Sequence, residues 1–127
     1  MKLKRGICAT FLTFIVILTT PFTVLAGSGE WDYVGGDAFS YSSRVFYSGG
    51  GDFKFCLRTG SPTGRYVLFE DDAGGADDYV GEKTLKAGEC AVFRNLNRFK
   101  DGDNHKAEFK VIKNINTTKW AGVDAWD

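Results

Sequence analysis

Beyond residue 27 the chain alternates apolar and polar residues with a period of two. No stretch there carries apolar residues at helical spacing over a dozen positions. In Asp52-Phe53-Lys54-Phe55-Cys56-Leu57-Arg58 the residues Phe53, Phe55 and Leu57 fall on one face of a strand, and Ala107, Phe109 and Val111 do the same within His105–Val111. Tyr66–Asp71 and Glu89–Arg94 are two further strand candidates. Ala38–Ser48 is a longer polar–aromatic alternation, and Trp31–Val34 and Trp120–Trp126 read as short terminal strands. Turn clusters stand between them: Gly35-Gly36-Asp37, Gly49-Gly50-Gly51, Gly60–Gly64, Asp71–Asp78, Lys86-Ala87-Gly88 and Asp101–Asn104. Seven or eight short strands at this spacing predict an all-β fold, an antiparallel β-sandwich or, alternatively, a small closed β-barrel.

The first residues follow a different pattern. Met1-Lys2-Leu3-Lys4-Arg5 is basic, Ile7–Val24 is almost entirely apolar or small, and Val24-Leu25-Ala26 fits a cleavage site before Gly27. Pro21 and the small-residue exit favour cleavage over a membrane anchor. Cys8 stands at the start of the apolar run rather than its end, which argues against a lipoprotein. The expected organisation is a signal peptide over 1–26 and one secreted domain over 27–127, with no transmembrane segment after cleavage.

Cleavage changes the charge. Loss of Lys2, Lys4 and Arg5 leaves 13 basic residues against 16 acidic, so a neutral chain becomes one of formal charge −3. An acidic surface gives no footing for nucleic acid or for simple attraction to anionic lipid. Cleavage also leaves two cysteines, Cys56 and Cys90, which in an oxidising compartment read as one disulfide. Closing a loop of about 35 residues stabilises a domain by roughly 3 to 4 kcal/mol.

Candidate chemistry concentrates in Phe69–Gly81. Glu70, Asp71, Asp72, Asp77 and Asp78 place five carboxylates within nine residues, after the apolar strand Tyr66–Phe69. Such charges repel unless something positive neutralises them. Oxygen ligands on a glycine-containing loop suit calcium better than magnesium, which asks for stricter geometry. Glu70-x-Asp72 followed by Asp78-Tyr79-Val80-Gly81 resembles the acidic loop of calcium-binding C2 domains. That resemblance implies an eight-stranded Greek-key sandwich with calcium held at one end by Glu70, Asp72 and Asp78, an end that C2 domains turn toward phospholipid headgroups or a partner. Asp71, Asp77, Asp101 and Asp103 are further available ligands. The family often has Asp where Glu70 stands, and Asp101 and Asp103 follow the motif where a C2 domain's other acidic loop precedes it.

Other features weigh less. Asp101-Gly102-Asp103-Asn104 begins like an EF-hand loop but lacks its glycine, its terminal glutamate and its flanking helices, so it reads as a turn. Trp31, Tyr33, Phe39, Tyr41, Phe46, Tyr47, Trp120 and Trp126 cluster toward the two ends of the mature chain. They either fill the core and guard sheet edges or form a surface for sugars or a membrane interface. Asn116-Thr117-Thr118 fits a glycosylation acceptor. His105 is the single histidine, which removes a His-based zinc cluster and weakens any catalytic triad. The expectation is a secreted, monomeric binding module rather than an enzyme, calcium-dependent and acting at an envelope, glycan or protein surface. A secreted toxin or bacteriocin-like antagonist and a small hydrolase or hydrolase inhibitor are the alternatives.

Overall fold

A computed structural model describes residues 30–72, 74–101 and 104–127; the expected signal peptide and Asp103 lie outside them. The chain forms eight strands: β1 (Tyr33–Phe39), β2 (Phe46–Ser48), β3 (Phe53–Leu57), β4 (Gly64–Glu70), β5 (Asp78–Leu85), β6 (Cys90–Phe93), β7 (Ala107–Asn114) and β8 (Ala121–Trp126). They build two antiparallel four-stranded sheets, ordered β1-β8-β3-β6 and β2-β7-β4-β5, so the fold is a β-sandwich and not a closed barrel. Among the described residues there is no α-helix, only a 3-10 turn at Asn97–Phe99, and no helix is long and apolar enough to cross a membrane.

The alternation seen in the sequence is the alternation of burial. Phe53, Phe55 and Leu57 of β3 face inward while Lys54 and Cys56 are partly exposed, and β7 repeats the pattern over eight residues. Phe53 from one sheet meets Phe109 from the other with ring centroids 4.8 Å apart, at the centre of a core that also holds Phe39, Phe46, Tyr66, Leu68, Val111 and Val123. The Tyr66 hydroxyl, carried into this apolar layer, donates to the Pro62 carbonyl at 2.6 Å, so its polar end is satisfied.

Two expectations change here. Gly35-Gly36-Asp37 is not a turn but the middle of β1, where a register shift between Tyr33 and Gly35 makes a bulge and Gly35 takes φ 128°. Glycine is required at Gly36 too, because a Cβ there would overlap Asp124, Arg58 and the Val123 carbonyl. The long Ala38–Ser48 alternation is broken: β1 ends at Phe39 and β2 begins at Phe46. Asp37 helps make the break, accepting from the Arg44 backbone N–H at 2.7 Å.

Cys56 and Cys90 are direct cross-strand partners on β3 and β6 and are joined by a disulfide. Every connection passes from one sheet to the other except β4–β5, which is a hairpin within one sheet. The turn of that hairpin is the acidic loop. The registers place the ends of β2, β4, β6 and β8 and the starts of β1, β3, β5 and β7 at one end of the sandwich. The acidic loop, the segment after the 3-10 turn and both ends of the sheet region therefore gather there.

Candidate metal centre

Glu70 is the last residue of β4 and lies opposite Phe109 on β7 and Asp78 on β5. It follows Tyr66 and Leu68 on the inward face, so the strand's period of two carries a carboxylate into the core. Its exposure is 1%, and neither carboxylate oxygen has a hydrogen-bond partner. Burial pushes Glu70 up to about 7, and the charges of Asp101, Glu108 and Asp78 add to the rise; the Glu108 backbone N–H opposes it in part from outside hydrogen-bonding geometry.

One oxygen each from Glu70, Asp101 and Glu108 lie within 4.8 Å of one another. The three come from separate segments. Asp101 follows the 3-10 turn and is held by a bridge to Lys106, Glu108 is the second residue of β7, and Glu70 closes β4. Asn104 Nδ2 donates to Glu108 Oε2 at 3.2 Å, and the Asp71 backbone N–H donates to the Glu108 carbonyl at 2.6 Å, which ties the β4 end to the β7 start. Three carboxylates around one point repel one another unless a proton or a cation lies between them. Their donor set, all hard oxygen, is of the kind that hard divalent cations accept.

The rest of the acidic loop is arranged differently from the expected ligand set. Asp72 and Asp78 are exposed and stand outside the three-carboxylate group. Asp78, the cross-strand partner of Glu70 at the start of β5, is exposed at the strand end and acts on Glu70 through its charge. Asp71 and Asp77 share one internal cation: Lys110 Nζ lies 3.3 Å from Asp71 and 2.7 Å from Asp77. The Lys110 hydrogen bond holds the Asp77 carboxyl below the usual carboxylate range, and Asp77 in turn raises Lys110. Asp77 also accepts from the Asp72 backbone N–H at 3.3 Å, which closes the loop. Of the residues singled out from sequence, the structure brings Glu70 and Asp101 together and adds Glu108. Glu108 had no signal of its own, because an acid between Ala107 and Phe109 reads as an ordinary outward residue of a strand.

The aromatics divide. Phe39 and Phe46 are core residues, whereas Trp31, Tyr33, Tyr41, Tyr47 and Trp120 are exposed and Trp126 is half-buried.

Residues 26–125 match the family described as YndA coiled coil domain. An uncharacterized protein of Bacillus subtilis (strain 168), YndA, is 48% identical over 88 residues, which is 68% of this chain and 67% of its own length. No solved structure matches. The family's description speaks of a coiled coil, yet the matched span runs here through strands from β1 into β8. On the extent of these two matches, the chain belongs to the YndA coiled coil domain family.

Proposed function

We propose that this chain is a secreted β-sandwich binding module that takes up a calcium ion between Glu70, Asp101 and Glu108. The observation that carries the reading is Glu70 itself, 1% exposed with both oxygens unpartnered and two further carboxylates beside it. A buried polar group without a partner costs about 1–3 kcal/mol, and more when charged. A cation held between the three carboxylates offsets that cost. Calcium accepts six to eight oxygens in flexible geometry, so backbone carbonyls and water complete a shell begun by three carboxylates. Bound there, the ion pins the segment after the 3-10 turn to the ends of β4 and β7 and makes the loop end of the sandwich rigid. The C2-like acidic loop supports the same chemistry through its Glu70, and the N-terminal leader pattern supports export into a calcium-containing medium.

The arrangement favours binding over catalysis. A carboxyl raised to about 7 has the proton affinity of a general acid, but at 1% exposure Glu70 has no surface to offer a substrate.

Thermal melts of the mature chain in millimolar calcium and in chelator test the proposal. Calcium at about a hundred times its dissociation constant stabilises the folded state by about 2.7 kcal/mol, and Glu70→Gln abolishes the difference. Superimposable wild-type melts in calcium and chelator would sink the calcium reading and leave Glu70 as a buried neutral acid.

A further inference from the structure

The outer face of the β1-β8-β3-β6 sheet carries a second arrangement, built from different residues. The registers align Tyr33, Trp126, Lys54 and Val92 in one row across all four strands. Phe53, Phe55 and Val123 occupy the inward positions, so the alternation sends Lys54 and Trp126 outward. Trp31, just before β1, completes the group. Lys54 Nζ lies 4.6 Å from the Trp31 ring centroid and 4.9 Å from that of Trp126, while Tyr33 meets Trp126 edge-on at 5.6 Å. Trp31 is 37% and Tyr33 59% exposed.

The cations of this face are treated unequally. Arg58 is committed to Asp124 through two hydrogen bonds of 3.0 and 2.9 Å, and Arg94 to Asp52 at 2.7 Å. Among the described residues no carboxylate lies within salt-bridge reach of Lys54. Two indoles hold its ammonium by cation–π attraction, which orients the group without neutralising it. An ammonium held in place and lacking a counter-ion, on a molecule with an excess of acids, is a local seat for an anion. The exposed rings of Trp31 and Tyr33 beside it, with the half-buried Trp126, offer flat apolar surface, the complement of a sugar ring's C–H face, and the Tyr33 hydroxyl is fixed by donating to Asp124 at 2.9 Å.

We propose that Trp31, Tyr33, Lys54 and Trp126 form the contact surface for a saccharide bearing anionic groups: the sugar ring packs on the exposed aromatics, and its carboxylate or sulfate meets Lys54. The inference rests on the reading of the chain as a binding module but not on the calcium ion, since none of the three calcium ligands belongs to this row. The row and the carboxylate cluster share one end of the sandwich, so the module's loop end carries both.

Tryptophan fluorescence titrations of the full mature chain, each run in calcium and in chelator, test the proposal. The probes are a hyaluronan hexasaccharide (carboxylate), a heparin hexasaccharide (sulfate), chitohexaose as the neutral counterpart and polyglutamate as an anion without sugar. The expected result is saturable binding of at least one anionic hexasaccharide, with little response to chitohexaose or polyglutamate. Which of the two anionic probes binds identifies the anion. Lys54→Met keeps the aliphatic packing between the indoles and removes the charge; it weakens binding about tenfold or more, the usual size of a lost charge-assisted contact. Trp31→Ala, ahead of the first strand, gives a comparable loss, and unchanged melts of both variants show that the fold survives. No binding of either anionic hexasaccharide, equal binding of chitohexaose or polyglutamate, or undiminished binding by Lys54→Met overturns the proposal. Binding that persists in chelator upholds it even where the calcium melts fail.

Discussion

A carboxyl group taken out of water keeps its proton longer, and at Glu70 this makes stability depend on pH. Its ordinary value of 4.5 is raised to about 7 in the fold. Between those values the folded chain holds a proton that the unfolded chain has already released, so stability falls as pH rises through this window and stays low above it. The gap corresponds to about 3 kcal/mol at most. Asp52, Asp77 and Asp124, held below their usual range by Arg94, Lys110 and Arg58, act in the opposite sense, but only in more acid solution. In chelator, then, urea midpoints are expected to be higher near pH 5 than near pH 8, and Glu70→Gln flattens that slope. A variant with the wild-type slope would assign the pH dependence to another group. How far this site was legible follows from the same residue. The sequence marks Glu70 as part of an acid-rich loop, and Asp101 as one of the acids after it. It does not show that β4 pairs with β7, and that pairing is what brings Glu108 to Glu70 and Lys110 to Asp71 and Asp77.

Among the elements, the strands with strict alternation, β3 and β7, are readable directly because one face of each is buried. β1 is not, because its glycines imitate a turn while serving a bulge and the close passage of the Arg58–Asp124 pair. The loop from β7 to β8 has a determinant that no local pattern announces. Lys113, on the buried side of β7 and 3% exposed, donates from Nζ to the carbonyls of Thr117 and Lys119. A lysine thus takes a core position as the anchor of a loop, its charge answered by backbone dipoles. Replacing it by methionine keeps most of the volume and leaves two carbonyls without their donor, a loss of about 1–3 kcal/mol. Hydrogen exchange is expected to speed up around Thr117–Trp120 in Lys113→Met and to change little in β3; exchange left unaltered in that loop would show that Lys113 is not its anchor.

For the molecule as a whole, one covalent link joins positions 34 residues apart in sequence, between neighbouring strands of one sheet. Removing it in Cys56→Ser/Cys90→Ser is expected to lower stability by roughly 3 to 4 kcal/mol through the freed unfolded chain, and reductant reproduces the shift because Cys90 is exposed. Equal unfolding free energies with and without the link would mean that β3 and β6 are held by the ladder alone. The sheet orders have a further consequence. They leave β1, β6, β2 and β5 at the edges, and an unpaired edge is a template on which another chain can add a strand. Here each edge is blunted in its own way. β2 has three residues and β6 four, β1 is kinked by its bulge, and β5 carries Glu82 and Lys83 and breaks register opposite Leu68 and Phe69. A sandwich with four free margins is thereby shielded from edge-to-edge polymerisation.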